Sequence, residues 1–192
     1  MTIKEVINFP YLTPPTPGTV KEIRDGIFWA QMPLPMLIDH VNVYILEGAN
    51  ELTIIDTGLN FENCRSAWLN IIKNNFSTKP ITKVVITHHH PDHIGLLGWF
   101  CQNFGVEVYA SRTSWLLARM LFLDKQNKVS NQAKEFWVKA GMHKQIFEER
   151  CNTPPFNFSD VVSEFPVGFK SLKQGDEIYL SDKKWRIEIG NG

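Results

Sequence analysis

The chain has 192 residues, 43% hydrophobic and 21% charged, the proportions of one ordinary globular domain and not of a disordered segment. Twenty Lys and Arg balance twenty Asp and Glu, so no cationic excess exists to displace phosphate counterions, which argues against a dedicated nucleic-acid binder or a polybasic membrane-surface protein. Cys64, Cys101 and Cys151 form neither a disulfide framework nor a zinc ribbon, and no apolar run reaches membrane length, so a soluble cytoplasmic protein with no membrane partner is predicted.

Residues 1–19, with Pro10, Pro14, Pro15 and Pro17, are expected to be an extended lead-in to a domain over 20–192. Strands are predicted at Lys21–Gln31, Val41–Glu47 and Leu52–Asp56, with Glu47-Gly48-Ala49-Asn50 as turn chemistry between the last two, which gives an antiparallel meander. Phe61, Cys64, Trp68, Leu69, Ile71, Ile72 and Phe76 recur at helical spacing and predict an amphipathic helix over 61–76. Lys83–Thr87 follows as a short buried strand, then a helix over Pro91–Phe104 with Pro at its first position and Gly105 past its end. With the next strand at Val106–Ala110, residues 83–110 read as an α/β crossover.

Helices are predicted around Ser114–Leu123 and Asn131–Arg150, the latter broken near Gly141. Strands then return at Phe169–Leu172, Glu177–Leu180 and Lys184–Ile189, separated by the turns Gln174-Gly175-Asp176 and Ser181-Asp182-Lys183. The apolar helical region holding Trp115, Leu116, Met120, Leu121, Phe122, Phe136 and Trp137 is expected in the core, the alternative being a substrate-facing cover. Ser181-Asp182-Lys183-Lys184 fits an S-x-x-K pattern, but in a hairpin turn with no S-D-N or K-T-G after it, so it carries no catalytic reading.

The chemistry concentrates in Thr87-His88-His89-His90-Pro91-Asp92-His93-Ile94-Gly95, at the carboxyl end of a strand and before a helix, where α/β folds place ligands. His88 and His90, two apart, point to one side if the extended geometry continues past Thr87; Asp92 and His93 fall in the first helical turn. Imidazoles with a carboxylate and no nearby thiolate suit zinc, iron or manganese. Six His and 8 Asp in random order would produce His-x-His-x-Asp-His with a probability on the order of 2 in 10,000. HExxH and the H-x-E with P-C-x-x-C of the zinc deaminases are absent.

These residues resemble the HxHxDH signature of the metallo-β-lactamase superfamily, and Ile54-Ile55-Asp56-Thr57-Gly58 resembles the Asp-Thr-Gly element that precedes it there. Leu34 to Asn42 is similar to the opening strand region of a branch grouped with glyoxalase II-like hydrolases and small RNase-like members. The resemblance implies an αββα sandwich, of which this α/β (α+β) chain would be the N-terminal portion. It implies that His88 and His90 bind one metal and Asp92 and His93 a second, that His89 is no ligand, and that Asp56 orients a ligand histidine. The cofactors would be two divalent ions, zinc first, with iron or manganese as alternatives. The implied mechanism is hydrolysis by a hydroxide bridging cations about 3.5 to 4 Å apart, which Asp92 could also orient.

The family pattern continues with a third histidine, a bridging carboxylate and a last histidine. In the similar branch the third histidine follows Gly-Asn-Gly, and this chain ends Ile189-Gly190-Asn191-Gly192 with only His143 downstream of the signature. The chain is therefore expected to be truncated, to hold at most two ligands per metal, to bind stoichiometric metal weakly or not at all and to show no meaningful turnover. A half-sandwich is also expected to expose an apolar sheet face and so to self-associate. The function implied for the whole protein is hydrolysis of a small-molecule ester, thioester or lactone. A phosphodiester nuclease, a non-haem di-iron redox protein and a non-catalytic fragment are the other readings, and the balanced charge disfavours nucleic acid.

Overall fold

Residues 10–190 are described in a computed structural model of the chain. Period-two alternation decides the layers. Ala30 and Met32 on β2 (Ile27–Pro33), Val43 and Ile45 on β3 (His40–Glu47), Leu52 and Ile54 on β4 (Leu52–Ile55), and Val84 and Ile86 on β5 (Ile81–Ile86) all enter one buried cluster. Cys64, Trp68 and Ile71 of α1 (Glu62–Asn75) and Leu97 and Phe100 of α3 (Leu97–Phe104) close that cluster from the helical side. Trp68 and Phe100 meet edge to face with centroids 5.1 Å apart.

With β1 (Lys21–Arg24), β6 (Glu107–Ser111) and β7 (Lys170–Leu172), these strands make one seven-stranded sheet in chain order. β1 to β4 are antiparallel, as the meander predicted, and β4 to β7 are parallel, joined by helical crossovers. On the opposite face, Leu46, Val85 and Leu172 form a smaller cluster with Leu180, which belongs to a hairpin of β8 (Glu177–Leu180) and β9 (Lys183–Arg186). Ser181 and Asp182 both take positive φ, 46° and 63°, the condition for a tight hairpin turn. The Ser181 hydroxyl donates to the Leu46 carbonyl (2.9 Å), and the Asp182 carboxylate accepts from the Ala49 amide (2.6 Å), which docks the turn onto the sheet. The S-x-x-K pattern is thus a structural turn. Helices, central sheet and hairpin are stacked in the order of the expected sandwich.

The second sheet face differs from the bare apolar surface expected of it. Between its apolar residues stand Trp29, whose indole donates to Asn42 (2.8 Å), and Lys170, paired with Glu107 (2.6 Å). Other expectations shift locally. The single strand over 21–31 is two, β1 and β2, because Asp25-Gly26 turns the chain, with Gly26 at φ +66° and its carbonyl accepting from Glu47 (2.8 Å). β9 ends at Arg186: the Ile187 amide still reaches its register partner, the Asp176 carbonyl (2.8 Å), but the Ile187 carbonyl accepts from the Gly175 amide (2.8 Å), so two residues oppose one and the regular ladder stops.

The helix over 91–104 is also two, α2 (Pro91–Ile94) and α3, because the His93 and Gly95 carbonyls are taken by Thr57 and Ser163 from other segments. α4 (Arg112–Leu123) starts two residues early because Ser111 caps it, accepting from the Ser114 amide. α5 (Asn131–Lys139) and α6 (Lys144–Asn152) are separated at Gly141 as predicted, with His143 just before α6 and exposed. Of the apolar helical region, Trp115 and Ala118 are core, whereas Leu116, Met120 and Phe136 are exposed. No described helix is long and apolar enough to cross a membrane. The lead-in at 10–19 contains neither helix nor strand; residues 1–9 and 191–192 lie outside the described residues.

Candidate functional site

Because β4 and β5 are parallel with Ile55 beside Val85, their carboxyl ends release Asp56 and Thr87 side by side. Asp56 leaves its strand at φ +60°, a conformation that Asp tolerates better than most residues. Its carboxylate is buried and accepts three hydrogen bonds: from the Thr87 amide (2.8 Å), from the Thr87 hydroxyl (2.6 Å) and from His93 Nδ1 (2.7 Å). An ionised carboxylate can only accept, so His93 carries its proton on Nδ1 and leaves Nε2 free. Nε2 lies 3.4 Å from Asp92 Oδ2.

The same logic reaches His88. The Thr87 hydroxyl has one hydrogen and gives it to Asp56, so its contact with His88 Nδ1 (3.0 Å) must have the imidazole as donor. His88 therefore also presents Nε2, which stands 3.0 Å from His90 Nδ1. One buried carboxylate thus fixes the tautomers of two histidines, directly for His93 and through Thr87 for His88.

The structure brings all five predicted residues together. β5 stops at Ile86, so His88 and His90 do not share a strand face; the bend over 87–89 brings their rings to 4.6 Å instead. The His88 and His93 rings are 4.0 Å apart. The His89 ring lies 4.8 Å from that of His90 and 6.4 Å from that of His88. Among the described residues, no three His, Cys, Asp or Glu side chains form a closed metal cage; the donors come as two pairs, His88 with His90 and Asp92 with His93.

Burial pulls the His93 pKa down, but the hydrogen bond and charge of Asp56, with Asp92 beside it, hold it above the ordinary histidine value. His88 shifts the other way, lowered by burial and then by the neighbouring His93 and His90. His89 is lowered by burial and by His90.

Two further residues hold the backbone of this site: Thr57, which lies in the Asp-Thr-Gly element, and Ser163. Thr57 donates its amide (2.7 Å) and hydroxyl (2.9 Å) to the His93 carbonyl. Ser163, about seventy residues later in the chain, donates its amide and hydroxyl to the Gly95 carbonyl, both at 2.7 Å. Thr57 was within reach of sequence reasoning as the neighbour of Asp56; nothing around Ser163 marks it.

Comparison with known proteins places this geometry in context. The family model of the metallo-beta-lactamase superfamily matches residues 37–169. A probable metallo-hydrolase of Bacillus subtilis, YqjP, is 32% identical over 105 residues, which is 54% of this chain and 33% of that protein. An exodeoxyribonuclease of Streptococcus pneumoniae, WalJ, is 28% identical over 74 residues, 38% of this chain and 26% of its own length. A crystal structure of a beta-lactamase domain protein from Burkholderia ambifaria superposes with a TM-score of 0.75 at 25% identity, covering 91% of this chain and 48% of that one. The matched region therefore spans about a third of YqjP and about half of the Burkholderia protein.

Proposed function

Because this chain belongs to the metallo-beta-lactamase superfamily, we propose that His88, His90, Asp92 and His93 are ligands of two divalent cations, zinc first, in a hydrolase of small esters, thioesters or lactones. The observation that carries the reading is the Asp56 network, which keeps the protons of His88 and His93 on Nδ1 and so leaves the Nε2 of each as the acceptor, His88 Nε2 toward His90 and His93 Nε2 toward Asp92. Buried carboxylates hold ligand imidazoles in this way. When bound, such ions acidify water and polarise the scissile oxygen. The chain's own residues would hold the ions: His88 Nε2 with the His90 imidazole as one pair, once His90 gives up the Nδ1 hydrogen that it donates to His88, and His93 Nε2 with an Asp92 oxygen as the other. Asp92 is also the group placed to orient a reacting water.

Two donors per cation fall short of the three that a catalytic zinc takes from protein, so the 192-residue chain is expected to bind metal weakly and to turn over little. Substrate class is tested in the whole protein with thioester, lactone and single-stranded nucleic-acid substrates. Activity on the first two, lost in His88→Ala with Asp92→Ala, is the expected result; activity unchanged by that double substitution removes the metal-site assignment. The similarity to WalJ supports a nuclease as second reading, since the same donors could serve a phosphodiester. The balanced charge weighs against it.

Metal affinity is expected to fall as pH falls. The folded-state pKa of His93 is raised, so its protonated pair with Asp56 contributes stability fully present below the ordinary histidine value of about 6.5 and lost as pH rises through the raised value. A protonated His93 carries its second proton on Nε2, where a cation would bind. Zinc titrations should therefore show weaker binding at about pH 6 than at about pH 8, while the metal-free protein loses the His93 contribution over the same interval. Affinity independent of pH would contradict the ligand assignment of His93.

A further inference from the structure

In a continuous helix over 91–104 the His93 carbonyl would accept from the Leu97 amide and the Gly95 carbonyl from the Trp99 amide. The helix breaks between Ile94 and Leu97, and each of these carbonyls is held by an amide and a hydroxyl of another segment: His93 by Thr57, Gly95 by Ser163. Each hydroxyl also accepts from an amide beyond its carbonyl. Thr57 Oγ1 shares the Leu96 amide (3.1 Å) with the Gly58 carbonyl (3.0 Å); Ser163 Oγ takes the Gly98 amide (2.9 Å) and the Trp99 amide (3.3 Å), capping α3 across a gap of 65 residues. Thr57 is fully buried, and its carbonyl accepts from the Trp68 indole of α1 (2.7 Å). The Ser163 segment is tied down by the Asn60 amide on the Val161 carbonyl (3.0 Å).

We propose that Thr57 and Ser163 are positioning residues, two hydroxyl clamps that hold the α2–α3 break and thereby set the rotation of His93 against Asp56 and Asp92. An unbroken helix would satisfy the same carbonyls without either residue. What the break adds is orientation: α2 turns independently of α3, and the His93 ring meets Asp56 at 2.7 Å. The purpose of the clamps rests on the metal-site reading; their geometry does not.

The test uses the 192-residue protein and two readouts. Thr57→Val and Ser163→Ala remove the hydroxyls, and Thr57→Ser keeps one. In metal-free, 15N-labelled protein at mildly alkaline pH, long-range proton–nitrogen correlations report the His93 tautomer, and cobalt(II) titration reports affinity. The wild type and Thr57→Ser are expected to show a single tautomer with the proton on Nδ1. Thr57→Val and Ser163→Ala should show a mixture and an affinity about tenfold lower. Ser163→Asp separates the roles, since its carboxylate can cap α3 but cannot donate to the Gly95 carbonyl; it should restore thermal stability and still give mixed tautomers. If the substitutions lower Tm yet leave the His93 tautomer as in the wild type, the clamps are structural only and the proposal is wrong. If the wild type takes up no cobalt, as two donors per cation allow, the tautomer alone decides the clamps. Should Thr57→Val fail to fold, the two Ser163 variants carry the same decision.

Discussion

Asp56→Asn is expected to leave the fold standing and to cut metal affinity about a hundredfold, the upper end of what a residue behind a ligand controls. The carboxamide has the shape of the carboxylate but replaces one acceptor oxygen with a donor. If its oxygen keeps the Thr87 amide, its NH2 faces the Thr87 hydroxyl and His93 Nδ1, both of which now donate to Oδ2. His93 must then accept on Nδ1 and carry its proton on Nε2. Thr87, now an acceptor from Asn, turns its own hydrogen toward His88 Nδ1 and drives that ring to the same tautomer. Two protons thus move onto the nitrogens that the proposal assigns to metal. Asp56→Ala, by contrast, removes the partner of the Thr87 amide and of His93 Nδ1 and should cost about 1–2 kcal/mol of stability as well. Isothermal titration with zinc and urea denaturation measure the two effects separately. Asp56→Asn with wild-type affinity would remove the role given to the carboxylate.

Gly98→Ala is expected to produce the largest loss of stability of any single methyl addition near the site. A Cβ built on Gly98 lies 1.8 Å from the Glu164 carbonyl oxygen and 3.0 Å from Ser163 Oγ. The first obstacle is backbone and cannot rotate aside, so either α3 or the 161–164 segment must move, and with it the clamp on Gly95. Overpacking of this kind costs about 3 kcal/mol or more. Gly168→Ala is the control: nothing lies within 4 Å of its Cβ position, and stability should change by less than about 0.5 kcal/mol. Urea midpoints decide; equal midpoints for the two variants would mean that the 161–164 segment is not seated on α3.

Most of the chain's elements are legible from periodicity because their apolar stripes are strong, as in α1, where Cys64, Trp68 and Ile71 are buried where the helical pattern puts them. The candidate site is legible because residues of metal-donor type cluster within six positions at a strand end. The break at Gly95 and Leu96 is not, because it depends on hydroxyls supplied by Thr57 and Ser163 from segments that only the folded chain brings near. A pattern read over 91–104 sees Pro at the start, Gly105 at the end and apolar residues throughout, which is a helix on every local criterion. The mixed second sheet face escapes notice for a related reason: Trp29, Tyr44 and Tyr109 count as apolar in a pattern, yet they stand among Asn42, Lys83 and Lys170 once the strands are in register.

The most direct test of the metal-site reading is anomalous diffraction from crystals of this chain soaked in zinc. The account predicts anomalous peaks at the loop carrying His88, His90, Asp92 and His93, with His93 coordinating through Nε2 while Nδ1 stays on Asp56. Peaks confined to His40, His143 or the cysteines, or coordination through His93 Nδ1 with the Asp56 hydrogen bond broken, would contradict it.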